Sequence, residues 1–215
     1  MKIPAAALIL SILSAPSGLQ PALAQEEPAL TQEDPTFAQE EPTSAQEQQR
    51  MKEIIDFSDP APTRWAIVND GVMGGRSESS LRLTDEGTAI FAGVLSLENN
   101  GGFASTRALL DTMDLTGFTG FAVRVKGDGR SYELRLRMEP NFDGIAYRAE
   151  FGTIQGEWTE VFLPFSAFQP SFRGRVPRGA SALDLTSIRQ IGFLLGDKLE
   201  GPFQLEIAWI RAVRP

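Results

Sequence analysis

The chain contains no cysteine and no histidine. Without cysteine there is no disulfide, no thiolate zinc site, no thiol nucleophile and no lipidated cysteine. Without histidine the commonest general base and metal ligand is missing, and with it every Ser-His or Cys-His nucleophile arrangement. Carboxylate pairs, lysine, tyrosine and oxygen-ligated metals are the chemistries left open. Basic residues are also in deficit: the 215 residues carry a net charge of −8, which argues against a nucleic-acid partner. Nor does the sequence offer a helical-period window long enough for a core helix.

What is present is arranged in three parts. Met1-Lys2 is a short basic start, residues 3–13 are largely apolar, and Ala22-Leu23-Ala24 supplies small residues at a peptidase-like spacing. Residues 1–24 therefore read as a secretory signal peptide cleaved after Ala24, too short and weakly flanked to stay in a membrane. The expected location is exported, periplasmic or secreted, with no membrane-spanning segment once the signal is removed.

Residues 25–53 repeat with a period of seven: Gln-Glu-Glu-Pro-Ala-Leu-Thr, Gln-Glu-Asp-Pro-Thr-Phe-Ala, Gln-Glu-Glu-Pro-Thr-Ser-Ala, then Gln-Glu. A proline in each unit and no apolar seam exclude a coiled coil. Acidic, proline-containing and poor in bulky apolar residues, the tract is expected to be a disordered, solvated spacer. It holds eight acids against two bases, whereas the remainder after it holds 20 acids against 17 bases. The acidity is mostly in this leader.

Residues 54–215 alternate as strands broken by Gly/Pro turns, with no cysteine staple needed for a core of this size. Phe121, Val123 and Val125 alternate with Ala122, Arg124 and Lys126; Gly127-Asp128-Gly129 turns; Tyr132, Leu134, Leu136 and Met138 then alternate with charged residues. The spacing predicts a hairpin with one buried and one charged face. Tyr147, Ala149 and Phe151 share a face on the next strand. Phe203, Leu205, Ile207 and Trp209 share one on the last, and Trp65, Trp158 and Trp209 all fall on apolar parities that predict burial. Gly93 within a strand suggests a bulge. The pattern predicts an all-β sandwich.

The chain is organised around Trp65-Ala66-Ile67-Val68-Asn69-Asp70-Gly71-Val72-Met73-Gly74-Gly75-Arg76-Ser77. Its companions are Phe91-Ala92-Gly93, Asn100-Gly101-Gly102-Phe103-Ala104-Ser105-Thr106-Arg107, Lys126-Gly127-Asp128-Gly129-Arg130-Ser131-Tyr132, Trp158-Thr159-Glu160-Val161-Phe162-Leu163-Pro164-Phe165 and Phe172-Arg173-Gly174-Arg175. In order and wording these motifs resemble the complex I intermediate-associated protein family, over essentially the whole strand-rich part. The resemblance implies a galactose-binding-like jelly roll of two antiparallel sheets. It also implies a non-enzymatic assembly factor for NADH:ubiquinone oxidoreductase, with no catalytic residues to carry over. The expected function is an exported, non-catalytic binding or scaffolding domain whose partner is a protein or protein complex. A jelly-roll carbohydrate-binding module, with a glycan as ligand, is the alternative.

Candidate binding residues sit in the glycine-rich loops: Asn69, Asp70, Gly74, Gly75, Asn100, Gly101, Gly102, Asp128 and Arg130, with Arg107 just beyond them. Arg173 and Arg175 form a separate basic loop. The 69–75 and 99–103 loops are expected side by side, because two glycine pairs each lead into a strand. Asp70 is expected to be held by backbone N–H groups or by an arginine, Arg107 being best placed. Calcium takes six to eight oxygens; with no EF-hand spacing, these Asn and Asp residues are read as serving turns. No metal and no cofactor is assigned. Arg124, Lys126, Arg135, Arg137 and Arg148 share the outward parity of three successive strands, interleaved with Glu133, Glu139 and Glu150.

Overall fold

A computed structural model describes residues 50–59, 64–141 and 143–215. The signal reading of 1–24 and nearly all of the 25–53 leader lie outside the described residues. Twelve strands follow in order: β1 (Met51–Asp56), β2 (Trp65–Ile67), β3 (Glu78–Leu83), β4 (Ala89–Leu95), β5 (Ala104–Leu109), β6 (Gly120–Lys126), β7 (Ser131–Arg137), β8 (Ala146–Gly152), β9 (Trp158–Pro164), β10 (Gln169–Ser171), β11 (Gln190–Leu195) and β12 (Gly201–Val213). Three single 3₁₀ turns, Asp70–Met73, Glu98–Asn100 and Phe165–Ala167, interrupt them.

The strands form two six-stranded sheets. The first runs β3-β4-β12-β6-β9, with β1 beside the C-terminal half of β12; the second runs β10-β8-β7-β11-β5-β2. Every strand pair is antiparallel. The domain is an all-β jelly-roll sandwich. Its core is the two inner faces. Phe121, Val123 and Val125 of β6 and Phe203, Leu205 and Ile207 of β12 meet Tyr132, Leu134 and Leu136 of β7 and Ile191, Phe193 and Leu195 of β11. Each such side chain contributes roughly 1.5–3 kcal/mol when removed from water. Within the second sheet, Phe151 of β8 and Phe193 of β11 meet edge-on over β7, with centroids 6.3 Å apart.

The alternation is as read, but β6 and β7 are not a hairpin. β6 pairs with β12 and β9, and β7 pairs with β11 and β8. The Gly127-Asp128-Gly129 turn carries the chain from one sheet to the other. A hairpin and a crossing turn have the same period-two pattern, because both flanking strands bury one face. The five outward cations therefore do not share a surface. Arg124 and Lys126 belong to the first sheet, and Arg135, Arg137 and Arg148 to the second.

The expected burial of the tryptophans is corrected in two places. A bulge between Ile207 and Trp209 inserts one residue, so Trp209 pairs opposite Arg124 on the outer face while Ile210 and Ala212 turn inward. Trp158 and Phe162 also face outward on β9, which buries Leu163 and half-buries Val161 instead. Arg124 and Lys126 stack over Trp158 at 5.6 and 5.0 Å, and Arg211 stacks over Trp209 at 4.2 Å. Gly93 forms no bulge. Its register is continuous, and a Cβ there would lie 2.0 Å from the Glu78 carbonyl oxygen of β3.

The bulge makes a test. Deleting Ala208 removes the extra residue, and strict alternation then still puts Ile207 inward, Trp209 outward and Ile210 inward. The expected result is a cooperative thermal transition with a melting temperature within a few degrees of wild type. Loss of that transition would show that Ala208 does more than offset the parity of β12.

Candidate functional site

The end of the sandwich where β5, β7 and β12 begin and β4, β6 and β11 finish is built from loops rich in glycine and polar residues. β2 runs into Asn69, whose extended backbone feeds the Asp70–Met73 turn. Gly74, at φ 89°, closes that turn in the left-handed region, where a side chain is strained. The turn tucks Asp70 underneath, and its side chain is fully buried.

Asp70 is tied by four hydrogen bonds. The Ser77 backbone N–H donates to Oδ1 at 2.9 Å. The Ser77 hydroxyl donates to Oδ2 at 2.6 Å, the Gly102 N–H at 2.7 Å and the Phe103 N–H at 3.3 Å. The Asp70 N–H in turn donates to the Phe103 carbonyl at 3.2 Å. The 69–75 and 99–103 loops are thus side by side. Their glycines are required by the carboxylate: a Cβ on Gly75 would sit 2.4 Å from Asp70 Cγ, and one on Gly101 2.5 Å from Oδ2. Asn69 adds to the tie by accepting from the Ser79 hydroxyl at 2.8 Å and the Ser105 N–H at 3.3 Å. Ser77 also accepts from the Ser96 N–H at 3.0 Å. Burial pushes the Asp70 carboxyl up, but the Ser77 hydroxyl and the three N–H donors outweigh it and hold the group below the usual carboxylate range. Those donors would repel a cation, so the carboxylate is arranged as a structural anion.

Asp128 and Arg130 build a second knot at the same end. Arg130 makes a forked pair with Asp197, Nε to Oδ2 at 2.9 Å and Nη2 to Oδ1 at 2.6 Å. Nη2 also donates to the Leu199 carbonyl, and Nη1 donates to the Pro202 carbonyl. Asp128 accepts from the Tyr132 hydroxyl at 3.1 Å and from the Gln204 N–H at 2.8 Å. The knot fixes the crossing turn against the start of β12. Gly196, beside it, lies against the Gly102 carbonyl, which places both knots together.

Arg107 is not Asp70's partner. It projects from the outer face of β5, opposite Gly192 of β11. Arg173 and Arg175 are at the opposite end, after β10; Arg173 is exposed and approaches Asp143 at 3.8 Å. Asn99 and Asn100 both take positive φ, 54° and 60°, in the Glu98–Asn100 turn.

The sequence reading passed over the crest above Asp70. Val72 is 72% exposed and Met73 58%. Leu97 and Leu199, in the neighbouring loops, are exposed as well. The Arg76–Glu98 pair at 2.8 Å borders them. The signal was two bulky apolar residues between glycines, in a turn that buries neither.

The profile of the family Complex I intermediate-associated protein 30 (CIA30) matches residues 55–207. The chain belongs to this family. The mouse complex I intermediate-associated protein 30, mitochondrial, is 32% identical over 183 residues, covering 76% of this chain and 54% of the mouse protein. The Drosophila melanogaster protein of the same name is 29% identical over 180 residues, covering 73% and 61%. The chain spans about half the length of the curated relatives it matches. Among solved structures, a family 11 carbohydrate-binding module of a Clostridium thermocellum cellulosomal cellulase superposes with a TM-score of 0.58 at 17% identity. It covers 77% of this chain and 95% of the module. The same module family in complex with a β-1,3-1,4-mixed-linked tetrasaccharide gives a TM-score of 0.56. At this identity the likeness shows the fold alone.

The CIA30 relatives from mouse, fly and Caenorhabditis elegans are named mitochondrial or probable mitochondrial proteins, and this overturns the exported, periplasmic or secreted location. The physical reason is that a basic start, an apolar run and small residues describe hydrophobicity and size. They do not by themselves specify which membrane's receptor reads the address.

The Asp70 tie yields a stability test. Asp70→Ala strands the Ser77 and Gly102 donors and should cost about 1–3 kcal/mol in urea unfolding at pH 7. Because the folded carboxyl is held low, the unfolded chain binds the proton first as pH falls. Its stabilisation is complete above about pH 4 and is lost as pH drops through the lowered folded value. Wild type should therefore lose more stability than Asp70→Ala between pH 7 and pH 3. Parallel pH profiles would show that Asp70 is not held as an ion.

Proposed function

We propose that this CIA30 domain is a non-catalytic protein-binding domain that holds an assembly intermediate of complex I or a related complex. The observation that carries this is the crest of Val72 and Met73, exposed on a loop whose base is fixed by the buried Asp70. Apolar side chains on a rigid, polar-rimmed support favour a protein partner: they shed water on contact, and little ordering entropy is lost. Asn69, Asp70, Gly74, Gly75, Asn100, Gly101 and Gly102 act here by shaping the crest. Asp128 and Arg130 act by bracing it. The relatives' names support the kind of partner, complex I intermediates.

One observation favours the sugar reading: Trp158 and Phe162 are exposed on the outer face of β9. The Trp158 ring is, however, already stacked by Arg124 and Lys126, which a sugar ring would have to displace.

The test is native-gel co-migration of the full chain with complex I intermediates in membranes of its own source. Val72→Asp with Met73→Asp should abolish co-migration while leaving stability within about 0.5 kcal/mol, as for most surface changes. Co-migration that survives this double change removes the crest as the contact. A saturable glycan response lost on Trp158→Ala would replace the assembly reading with the sugar one.

A further inference from the structure

The outer face of the second sheet holds a feature the assembly reading does not use. Across β5, β11 and β7 one row of outward residues reads Arg107, Gly192, Arg135, and the next reads Leu109, Gln190, Arg137. Two strand spacings, about 10 Å, separate the Arg107 and Arg135 backbones, with only a glycine between. A Cβ on Gly192 would lie 2.3 Å from the Thr106 carbonyl oxygen, so the floor stays bare. The result is a cavity of about 30 Å³ bounded by Arg107, Arg135, Arg137, Gln190, Gly192 and Ser105.

Its walls are fixed. Arg135 Nε donates to Glu133 at 2.7 Å, and Arg137 Nη1 donates to the Gly144 carbonyl at 2.7 Å. Each bond uses one of a guanidinium's five donors. The Gln190 amide donates to the Glu139 and Asn141 carbonyls at 2.6 and 2.7 Å and fastens the loop after β7 as the far rim. Glu133 is shared between Arg135 and Arg148, so one carboxylate serves two cations. Burial, then Arg137 and Arg135, push the Arg107 guanidinium down to about 10. Burial and Arg135 lower Arg137 likewise. Three cations held this close repel one another, and an anion between them would relieve that repulsion.

We propose that the pocket over Gly192 binds one oxyanion group, a carboxylate or a phosphate, gripped by Arg107, Arg135 and Arg137. Guanidinium forks match both groups, and the cavity holds one small charged group and no sugar ring. This does not depend on the assembly reading, and its test uses neither the crest nor any partner.

The full chain is titrated with sodium phosphate, sodium acetate and sodium chloride at equal ionic strength, and amide resonances are followed by NMR. Saturable shifts at Gly192, Arg107 and Arg135 with phosphate or acetate, but not chloride, are expected. The tighter of the two names the source of the group. Arg107→Gln and Arg135→Gln should each weaken binding about tenfold or more, the loss of a charge-assisted bond. Arg211→Gln, on the outer face of the first sheet, should leave it within about twofold. Equal responses to all three salts reflect screening alone and overturn the proposal. So do saturable shifts confined to residues elsewhere, which wild type reports whether or not a variant folds.

Discussion

The buried carboxylate of Asp70 is the constraint on which one whole end of the domain depends. A buried charge is costly unless its hydrogen bonds are complete. Here completion requires donors from Ser77, Gly102 and Phe103, so the segments on either side of β3 and β4 must close on the same point. That closure forces glycine at positions 75 and 101, where a side chain would overlap the carboxylate. The motif is therefore one interaction written in two places: an acid in the first loop, with donors and a glycine clearance in both segments.

The Arg130–Asp197 pair does for the crossing between sheets what Asp70 does for the loops. Both partners are mostly buried, and such a pair is retained only if its geometry is good, because each ion has lost its water. The forked contact meets that condition, and the additional bonds to the Leu199 and Pro202 carbonyls use the remaining donors. Asp128 completes the brace through Tyr132 and Gln204. Removal of either ion would leave the other stranded, so the turn has one stable path across the sandwich. Asp197 is held below the usual carboxylate range: burial pushes it up, and Arg130 and the Leu199 N–H pull it down further.

Period-two alternation made the strands legible, and the paired glycines made the loop contact legible, because both are local consequences of sterics. What was not legible depended on register. Whether Gly127-Asp128-Gly129 joins partners in one sheet or crosses between two leaves no trace in the alternation. Trp209 read as core because a bulge, one extra residue, inverts every later side chain without changing composition. Trp158 read as core because it shares a parity with Phe162; its cover is two cations from the neighbouring strand, known only once β6 and β9 are paired. The arginine pocket was half legible. The outward parity of Arg135 and Arg137 was plain, but that Arg107 faces them across Gly192 follows from the order β7-β11-β5.

The two surfaces differ in how they could have arisen from these constraints. At the loop end nearly every polar group is used in holding the loops together, so what is left to meet a partner is apolar: Val72 and Met73 stand out because the turn beneath them cannot fold inward without displacing Asp70. On the second sheet the reverse holds. The pairing of β5, β11 and β7 satisfies the backbone, and it holds the guanidiniums of Arg107, Arg135 and Arg137 near one another, since the strand spacing is fixed by the ladder. Interior satisfaction thus selects a hydrophobic contact at one place and an electrostatic one at another, and both are rigid before anything binds.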